Sequence, residues 1–160
     1  MSRLLLATAN EKKLVELRRI LGPLLPSLEV VGLGDVAAYV PGPETGATFE
    51  ENALLKAREG VAATGLPAVG DDSGLTVDAL NGMPGIFSAR WSGRHGDDLA
   101  NLQLLLGQVA DVPEERLGAA FVCAAALVTP SGEQVVVRGE MRGHLVREPK
   151  GSNGFGYDPI

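Results

Sequence analysis

The side chains with the most chemical potential in this chain are carboxylates and lysines gathered in three short segments. Asp71 and Asp72 stand side by side in Gly70-Asp71-Asp72-Ser73-Gly74-Leu75, directly after the apolar start of that run at Ala68-Val69. Adjacent carboxylates at the end of an apolar strand are costly unless a cation or hydrogen-bond donors compensate them. Hard oxygens of this kind suit magnesium, which takes few carboxylates and completes its shell with water and phosphate oxygens. Asp-Ser-Gly is also ordinary turn chemistry, so the residues alone leave a turn and a metal-facing site both open.

A third carboxylate, Glu44, stands in a loop just before Thr48-Phe49-Glu50-Glu51, well placed to reach a metal. Glu50 and Glu51 open a helix and suit its dipole without further explanation. Asn52 and Lys56 are four apart and share one face of that helix. Further upstream, Thr8-Ala9-Asn10-Glu11-Lys12-Lys13 marks a strand end followed at once by a helix start. Unpaired amides and a partial positive charge at such a terminus suit phosphate. Asn10 can cap the helix, and a cation as early as Lys13 makes sense if an anion lies nearby. The segment lacks the glycine spacing of a nucleotide P-loop.

Two later segments are weaker. Asn81 to Trp91 is rich in turn residues and carries Arg90, which suits a phosphate or a carboxylate but also an ordinary surface. Gly151-Ser152-Asn153-Gly154-Phe155-Gly156-Tyr157-Asp158-Pro159-Ile160 sets two aromatics between glycines. Glycine lets backbone approach a flat ligand, and an aromatic ring can stack on a base.

The elements that must position these residues follow from periodicity. Arg3–Ala7 reads as a buried strand. Glu11–Leu21 reads as a helix with Leu14, Leu17 and Leu21 on one face, stopped by Gly22-Pro23. Glu29–Val31 is a short strand and Asp35–Gly46 a loop. Thr48 opens a capping box for a helix that runs to Thr64 and ends at Gly65, striped by Phe49, Ala53, Ala57 and Val61. Ala68–Asp71 and Leu75–Ala79 read as two strands around a turn at Asp72-Ser73-Gly74. Asn81–Gly96 is loop-like, and Asp97–Val109 is a helix carrying Leu99, Leu102, Leu105 and Leu106. Ala119–Val128 and Gln134–Glu140 form a strand pair around Pro130-Ser131-Gly132-Glu133. Helices alternate with strands early and strands pair late, which predicts an α/β protein with a mixed sheet.

Composition narrows the function. The chain has 160 residues, 45% hydrophobic and 21% charged, as expected of one soluble globular domain spanning residues 1–160. Its 14 basic and 20 acidic residues give a net charge of −6 without a basic block. That speaks against a nucleic-acid partner, which needs clustered Lys and Arg. A triphosphate remains compatible, held by local cations, backbone amides and a divalent metal. The N-terminal apolar run is too short for a signal core or a membrane span, so a cytoplasmic protein is expected. The single cysteine, Cys123, reads as a small buried hydrophobe in a core strand. His95 and His144 show no ligand spacing and read as surface residues.

Taken in order, the motifs are specific where each alone is not. Thr8-x-Asn10-x-x-Lys13, then Glu44-Thr45-Gly46-x-Thr48-Phe49-x-Glu51-Asn52-Ala53-x-x-Lys56-Ala57, resemble the inosine triphosphate pyrophosphatase family, also called the dITP/XTP pyrophosphatases. So do Asp71-Asp72-Ser73-Gly74-Leu75-x-Val77-Asp78-Ala79-Leu80, Gly85-x-x-Ser88-Ala89-Arg90 and Gly154-Phe155-Gly156-Tyr157-Asp158-Pro159. The resemblance runs over nearly the whole chain. It implies an elongated two-lobed α/β fold around a central mixed β-sheet, with helices packed on the sheet and a cleft between the lobes. It also implies a homodimer that hydrolyses ITP, dITP and XTP to the monophosphate and pyrophosphate with Mg²⁺, removing deaminated purines from the nucleotide pool.

Roles implied by the resemblance are these. Thr8, Ala9, Asn10, Glu11, Lys12 and Lys13 would hold the triphosphate. Glu44 and Asp72 would hold the metal, and Asp72 would be the catalytic base that activates water. Ser73 would contact substrate, and Phe155, Gly156, Tyr157 and Asp158 would line the base pocket. Asn52, Lys56, Asp71 and Arg90 are supporting candidates. The family pattern continues past Asp158-Pro159 into a segment with a substrate-binding Lys and a Ser-His-Arg triplet that reads the purine's six-keto group. That C-terminal segment is expected to be lacking here, through a shortened chain, a tail outside this sequence or a naturally short member. Two rivals remain: a pyrophosphatase of related fold acting on another base, and a nucleotide-binding module without catalysis.

Overall fold

The structure is a computed structural model that describes residues 2–160. In chain order it contains β1 (Ser2–Leu6), α1 (Glu11–Leu24), β2 (Leu28–Val31), α2 (Phe49–Thr64), β3 (Ala68–Val77), α3 (Asp98–Gln108), β4 (Gly118–Val128) and β5 (Gln134–His144). The five strands form one sheet in the order β2-β1-β3-β4-β5. β1 runs parallel to β2 and to β3, whereas β4 and β5 join through a tight turn closed by Thr129 N–H on Glu133 O at 3.0 Å. A turn that short makes the pair antiparallel, so the sheet is mixed. The α/β expectation holds. The chain packs as two compact units, one formed by the residues up to Asp72 with Ala124–Arg138, the other by Ser73–Cys123 with Gly139–Ile160.

In the first unit, parallel pairing demands crossover helices. α1 links β1 to β2, and α2 links β2 to β3. Because β1 lies between β2 and β3, these crossovers run in opposite directions, and right-handed connections then set α1 and α2 on opposite faces of the sheet. Packing agrees. A side chain at Gly60 of α2 would meet Leu5, Ala68 and Ala7, and one at Gly70 of β3 would meet Ala53 O and Ala57 N of α2. Leu5, Ala7, Val31 and Ala68 form the buried core of this unit.

Local chemistry sets the helix ends. The Asn10 side chain caps α1 by accepting from Lys12 N–H at 3.0 Å. α1 outruns the expected stop at Gly22-Pro23 and continues to Leu24. Pro23 falls in the last turn, where its missing N–H removes one bond of a helix already ending, and Leu25 N–H still donates to Leu21 O at 2.7 Å. α2 starts as expected: Thr48 Oγ accepts from Glu51 N–H at 3.1 Å. The Glu51 carboxylate, however, takes Ala47 N–H at 2.7 Å, one residue earlier than in a capping box. Gly65 ends α2 in the left-handed region, at φ 69°.

One expectation about β3 fails. Asp72-Ser73-Gly74 is no turn between two strands: β3 is continuous from Ala68 to Val77, with both aspartates in its middle. Gly74 permits this, because a side chain there would collide with Gly85 O and Ser88 Oγ. Turn-prone residues are here held straight by packing.

The second unit has its own core, with Leu75, Val77, Leu102, Leu105, Val109, Leu117 and Tyr157 among its buried members. Leu102 and Leu105 of α3 point into it. Leu99 is 66% exposed, contrary to its place in the expected stripe; it sits in the first turn, at the stripe's flank. The loop from Asn81 to Gly96 is partly coiled, with a 3-10 helix at Gly85–Arg90. There the buried Ser88 Oγ accepts from Leu75 N–H at 2.9 Å and donates to Gly85 O at 2.6 Å. No described helix is long and apolar enough to cross a membrane.

Candidate active site

Strand alternation decides where the paired aspartates point. Gly70 faces α2, so Asp72, two residues on, faces α2 as well, and Asp71 faces α1. Each meets a helix-borne lysine. Lys13, in the first turn of α1, pairs with Asp71 Oδ2, which supplies the anion that an early cation calls for. On the other face, Lys56 Nζ of α2 lies 2.5 Å from Glu44 Oε1 and 3.8 Å from Asp72 Oδ1. It also donates to Asp71 O at 2.8 Å. Asn52, one turn earlier, donates through Nδ2 to Asp72 Oδ2 at 2.9 Å. Its Oδ1 accepts from Gly46 N–H at 2.8 Å. The loop that carries Glu44 is thereby tied to the helix that carries Lys56.

Both aspartates are buried, Asp71 at 7% and Asp72 at 6% exposure. Burial pushes the Asp72 carboxyl above its ordinary range; the Asn52 hydrogen bond and the Lys56 charge pull it back, while Glu44 raises it. Asp71 Oδ1 is buried with no hydrogen-bond partner. An orphaned carboxylate oxygen is rare and marks a place where a cation or water completes the structure. Glu44 and Asp72 also converge on one cationic position, now held by an ammonium. This donor set of hard oxygens fits a divalent cation such as magnesium. Among the described residues no group of three or more His, Cys, Asp or Glu is gathered for a metal.

The strand-to-helix turn completes this unit's chemistry. Thr8 Oγ accepts from Asn10 N–H at 3.3 Å, and Ala9, Glu11 and Lys12 are exposed around it. Of the residues singled out by sequence, Thr8 to Lys13, Glu44, Asn52, Lys56, Asp71 and Asp72 therefore lie in the first unit; Glu44 and Asp72 share Lys56 on the α2 side, and Asp71 pairs with Lys13 on the α1 side.

The others fall in the second unit, around a hollow of about 420 Å³. Ser73, Phe155, Gly156, Tyr157 and Asp158 all line it. The segment is a built loop. Phe155 N–H donates to Asp158 Oδ2 at 2.9 Å, and Gly156 N–H to Asp98 Oδ2 at 3.0 Å. Phe155 is 44% exposed, whereas Tyr157 is 5% exposed. The Tyr157 hydroxyl donates to Ser88 O at 2.9 Å, and burial, with Asp98 nearby, pushes it up to about 12. Arg90 is not in this wall; its guanidinium lies 5.3 Å over the Phe87 ring. A separate hollow of about 470 Å³ beside the Asp78–Arg142 ion pair holds none of the sequence-derived residues.

Sequence reasoning missed part of the wall. Cys123, expected in the core, is exposed and lines the hollow. Its neighbours Val122 and Ala124 take the buried face of β4, and alternation turns Cys123 outward. Asp98 was hidden because it follows Asp97 at a helix start, where two acids need no further reason. Its partner Gly156 is 58 residues away.

Comparison with known proteins agrees with this architecture. The model of the Ham1 family matches residues 4–160. The dITP/XTP pyrophosphatase of Nocardia farcinica is 64% identical over 161 residues, covering 100% of this chain and 78% of that protein. That of Mycobacterium tuberculosis is 62% identical, covering 99% and 78%. Among solved structures, the dITP/XTP pyrophosphatase from Mycobacterium abscessus superposes with a TM-score of 0.86 at 63% identity, covering 99% of this chain and 82% of that one. The Staphylococcus aureus Ham1 protein gives 0.88 at 37%, covering 99% and 80%. With a family match over nearly all its length and relatives this similar, the chain belongs to the Ham1 family.

Proposed function

We propose that this chain is a dITP/XTP pyrophosphatase: it hydrolyses ITP, dITP and XTP to the nucleoside monophosphate and pyrophosphate. The observation that carries the reading is the cluster in which Glu44, Asp71 and Asp72 face Lys13 and Lys56 beside a helix start. Phosphoryl transfer is chiefly positioning and charge stabilisation, so such a site needs no covalent nucleophile. Thr8 to Lys13 offer a helix start and two ammonium groups to the phosphates. Asp72, whose carboxyl burial holds above its ordinary range, takes the proton of the attacking water as its carboxylate. The water oxygen bonds to one phosphorus of the α–β phosphoanhydride as that bond breaks, and the departing phosphate, monophosphate or pyrophosphate according to the phosphorus attacked, keeps the electron pair. Glu44 and Asp72 would hold Mg²⁺, which when bound neutralises phosphate charge and acidifies water. Ser73 contacts substrate and Phe155 to Asp158 take the base, with Asn52, Lys56, Asp71 and Arg90 in support.

In this reading residues 1–160 act as a single pyrophosphatase domain, working as a homodimer in the cytoplasm on small nucleotides. The test is pyrophosphate release from ITP, XTP, ATP and dTTP, with and without Mg²⁺. Magnesium-dependent release with ITP and XTP preferred supports the proposal; equal turnover of ATP and dTTP, or none of any, defeats it. Sedimentation at micromolar concentration tests the dimer.

A further inference from the structure

Two neighbouring aspartates at the start of α3 do different work. Asp97 is the helix cap: its Oδ1 accepts from Ala100 N–H at 3.2 Å. Asp98 turns away from that task and accepts Gly156 N–H at 3.0 Å, across 58 residues of chain. Gly156 has φ 61°, a conformation that other residues adopt reluctantly. It is the midpoint of the loop whose Phe155, Tyr157 and Asp158 line the hollow, a wall that Asp98 shares. Side chains also hold the same loop elsewhere: Phe155 N–H donates to Asp158 Oδ2, and the Tyr157 hydroxyl donates to Ser88 O. Backbone bonds run within the segment from Asp158 N–H to Phe155 O and from Ile160 N–H to Tyr157 O. Among these, Asp98 supplies the one charged tie from a separate element.

From this geometry we infer that Asp98 is a positioning residue for nucleotide binding, fixing through Gly156 N–H the loop that receives the base. The inference rests on the proposed pyrophosphatase reading. A carboxylate bound to a backbone amide is a charge-assisted contact. Losing it frees the loop without touching Glu44, Asp71 or Asp72, which carry the chemistry. The effect belongs in KM rather than kcat.

The experiment compares Asp98→Ala, Asp98→Asn and Asp97→Ala in the full 160-residue chain, with ITP as substrate. Asp98→Ala is expected to raise KM by about ten- to 150-fold, the scale of a hydrogen bond to a charged group, with kcat within about twofold. Asp98→Asn keeps an acceptor and should recover most of the wild-type KM. Asp97→Ala removes a helix cap, so it lowers the melting temperature and leaves KM alone. Amide exchange at Gly156, read by NMR without substrate, should quicken in Asp98→Ala only. An unchanged KM in Asp98→Ala, or an equal rise in Asp97→Ala, overturns the inference while the enzyme reading stands. No ITP turnover by the unaltered chain overturns the enzyme reading, and this inference falls with it.

Discussion

The Asn52 side chain, 0% exposed within α2, donates to Asp72 Oδ2 at 2.9 Å. A fully buried amide aimed at a buried carboxylate joins stability to chemistry, because the same side chain also accepts Gly46 N–H. Asn52→Ala removes a hydrogen-bond partner from the buried Asp72 carboxylate and from the half-buried Gly46 N–H. Expected is a loss of about 2–4 kcal/mol in stability by denaturant unfolding, together with a fall in kcat for ITP. Asn52→Asp should be worse for activity, since it sets a third charge against Asp72.

Asp72→Asn separates stability from activity. Burial holds the folded carboxyl above its usual range, so the folded state binds that proton more tightly than the unfolded chain does. The stabilising contribution is therefore complete below the unfolded carboxylate range and is lost as pH rises through the folded value. At pH 7 the ionised Asp72 is a cost. The metal-free variant should melt higher at pH 7, by about 1–3 °C, with the gain shrinking towards acid pH. Pyrophosphate release should fall by about 10²- to 10⁴-fold. A variant that melts lower throughout contradicts this account.

Removing Mg²⁺ with a chelator should stop ITP hydrolysis, and adding it back should restore it. Glu44→Gln is expected to raise the Mg²⁺ concentration for half-maximal rate by about tenfold or more, as loss of a charged oxygen ligand does. An unchanged Mg²⁺ requirement would remove Glu44 from the metal's ligands.

Two glycines give opposite predictions. At Gly70 a side chain would meet Ala57 N at 2.6 Å and Lys56 Cβ at 2.9 Å. Gly70→Ala should cost about 1–3 kcal/mol or more and lower activity by prying α2 from β3. A side chain at Gly107 meets nothing within 4 Å. Gly107→Ala, within α3, should stabilise by about 0.5–1 kcal/mol. Thermal melts of both decide the matter.

Tyr157 gives an alkaline signature. Its hydroxyl is pushed up to about 12 by burial and by Asp98. The folded value lies above the unfolded one, so the contribution is complete below the unfolded tyrosine range, near pH 10, and is lost as pH rises through the folded value. Tyr157→Phe should flatten the loss of stability across that window and cost about 1 kcal/mol at neutral pH through the missing bond to Ser88 O. Ultraviolet titration of the phenolate follows it directly.

Much of this was legible in the residues. Thr48 and Gly65 announce the ends of α2 because capping is local chemistry. Lys13, Asp71 and Asp72 stood out because charge at an apolar strand end or in a helix's first turn needs an explanation, and Glu44 because it lies in a loop that no helix dipole explains. What sequence concealed was decided by distant packing. Asp72-Ser73-Gly74 prefers a turn locally, yet Ser88 and Gly85 hold it straight. Cys123 looked buried in an alanine-rich run, yet a strand has two faces. Asp98 looked like a dipole acid until Gly156 arrived beside it.

The continuity of β3 carries one more consequence. On a straight strand, neighbours are assigned to sides by parity alone. Deleting or inserting a single residue between Ala68 and Asp71 would keep every carboxylate and lysine in the chain, yet hand Asp71 to Lys56 and Asp72 to Lys13. Such a protein would have the right inventory and an inverted wiring. Length between these positions is thus as much a part of the site as the side chains are.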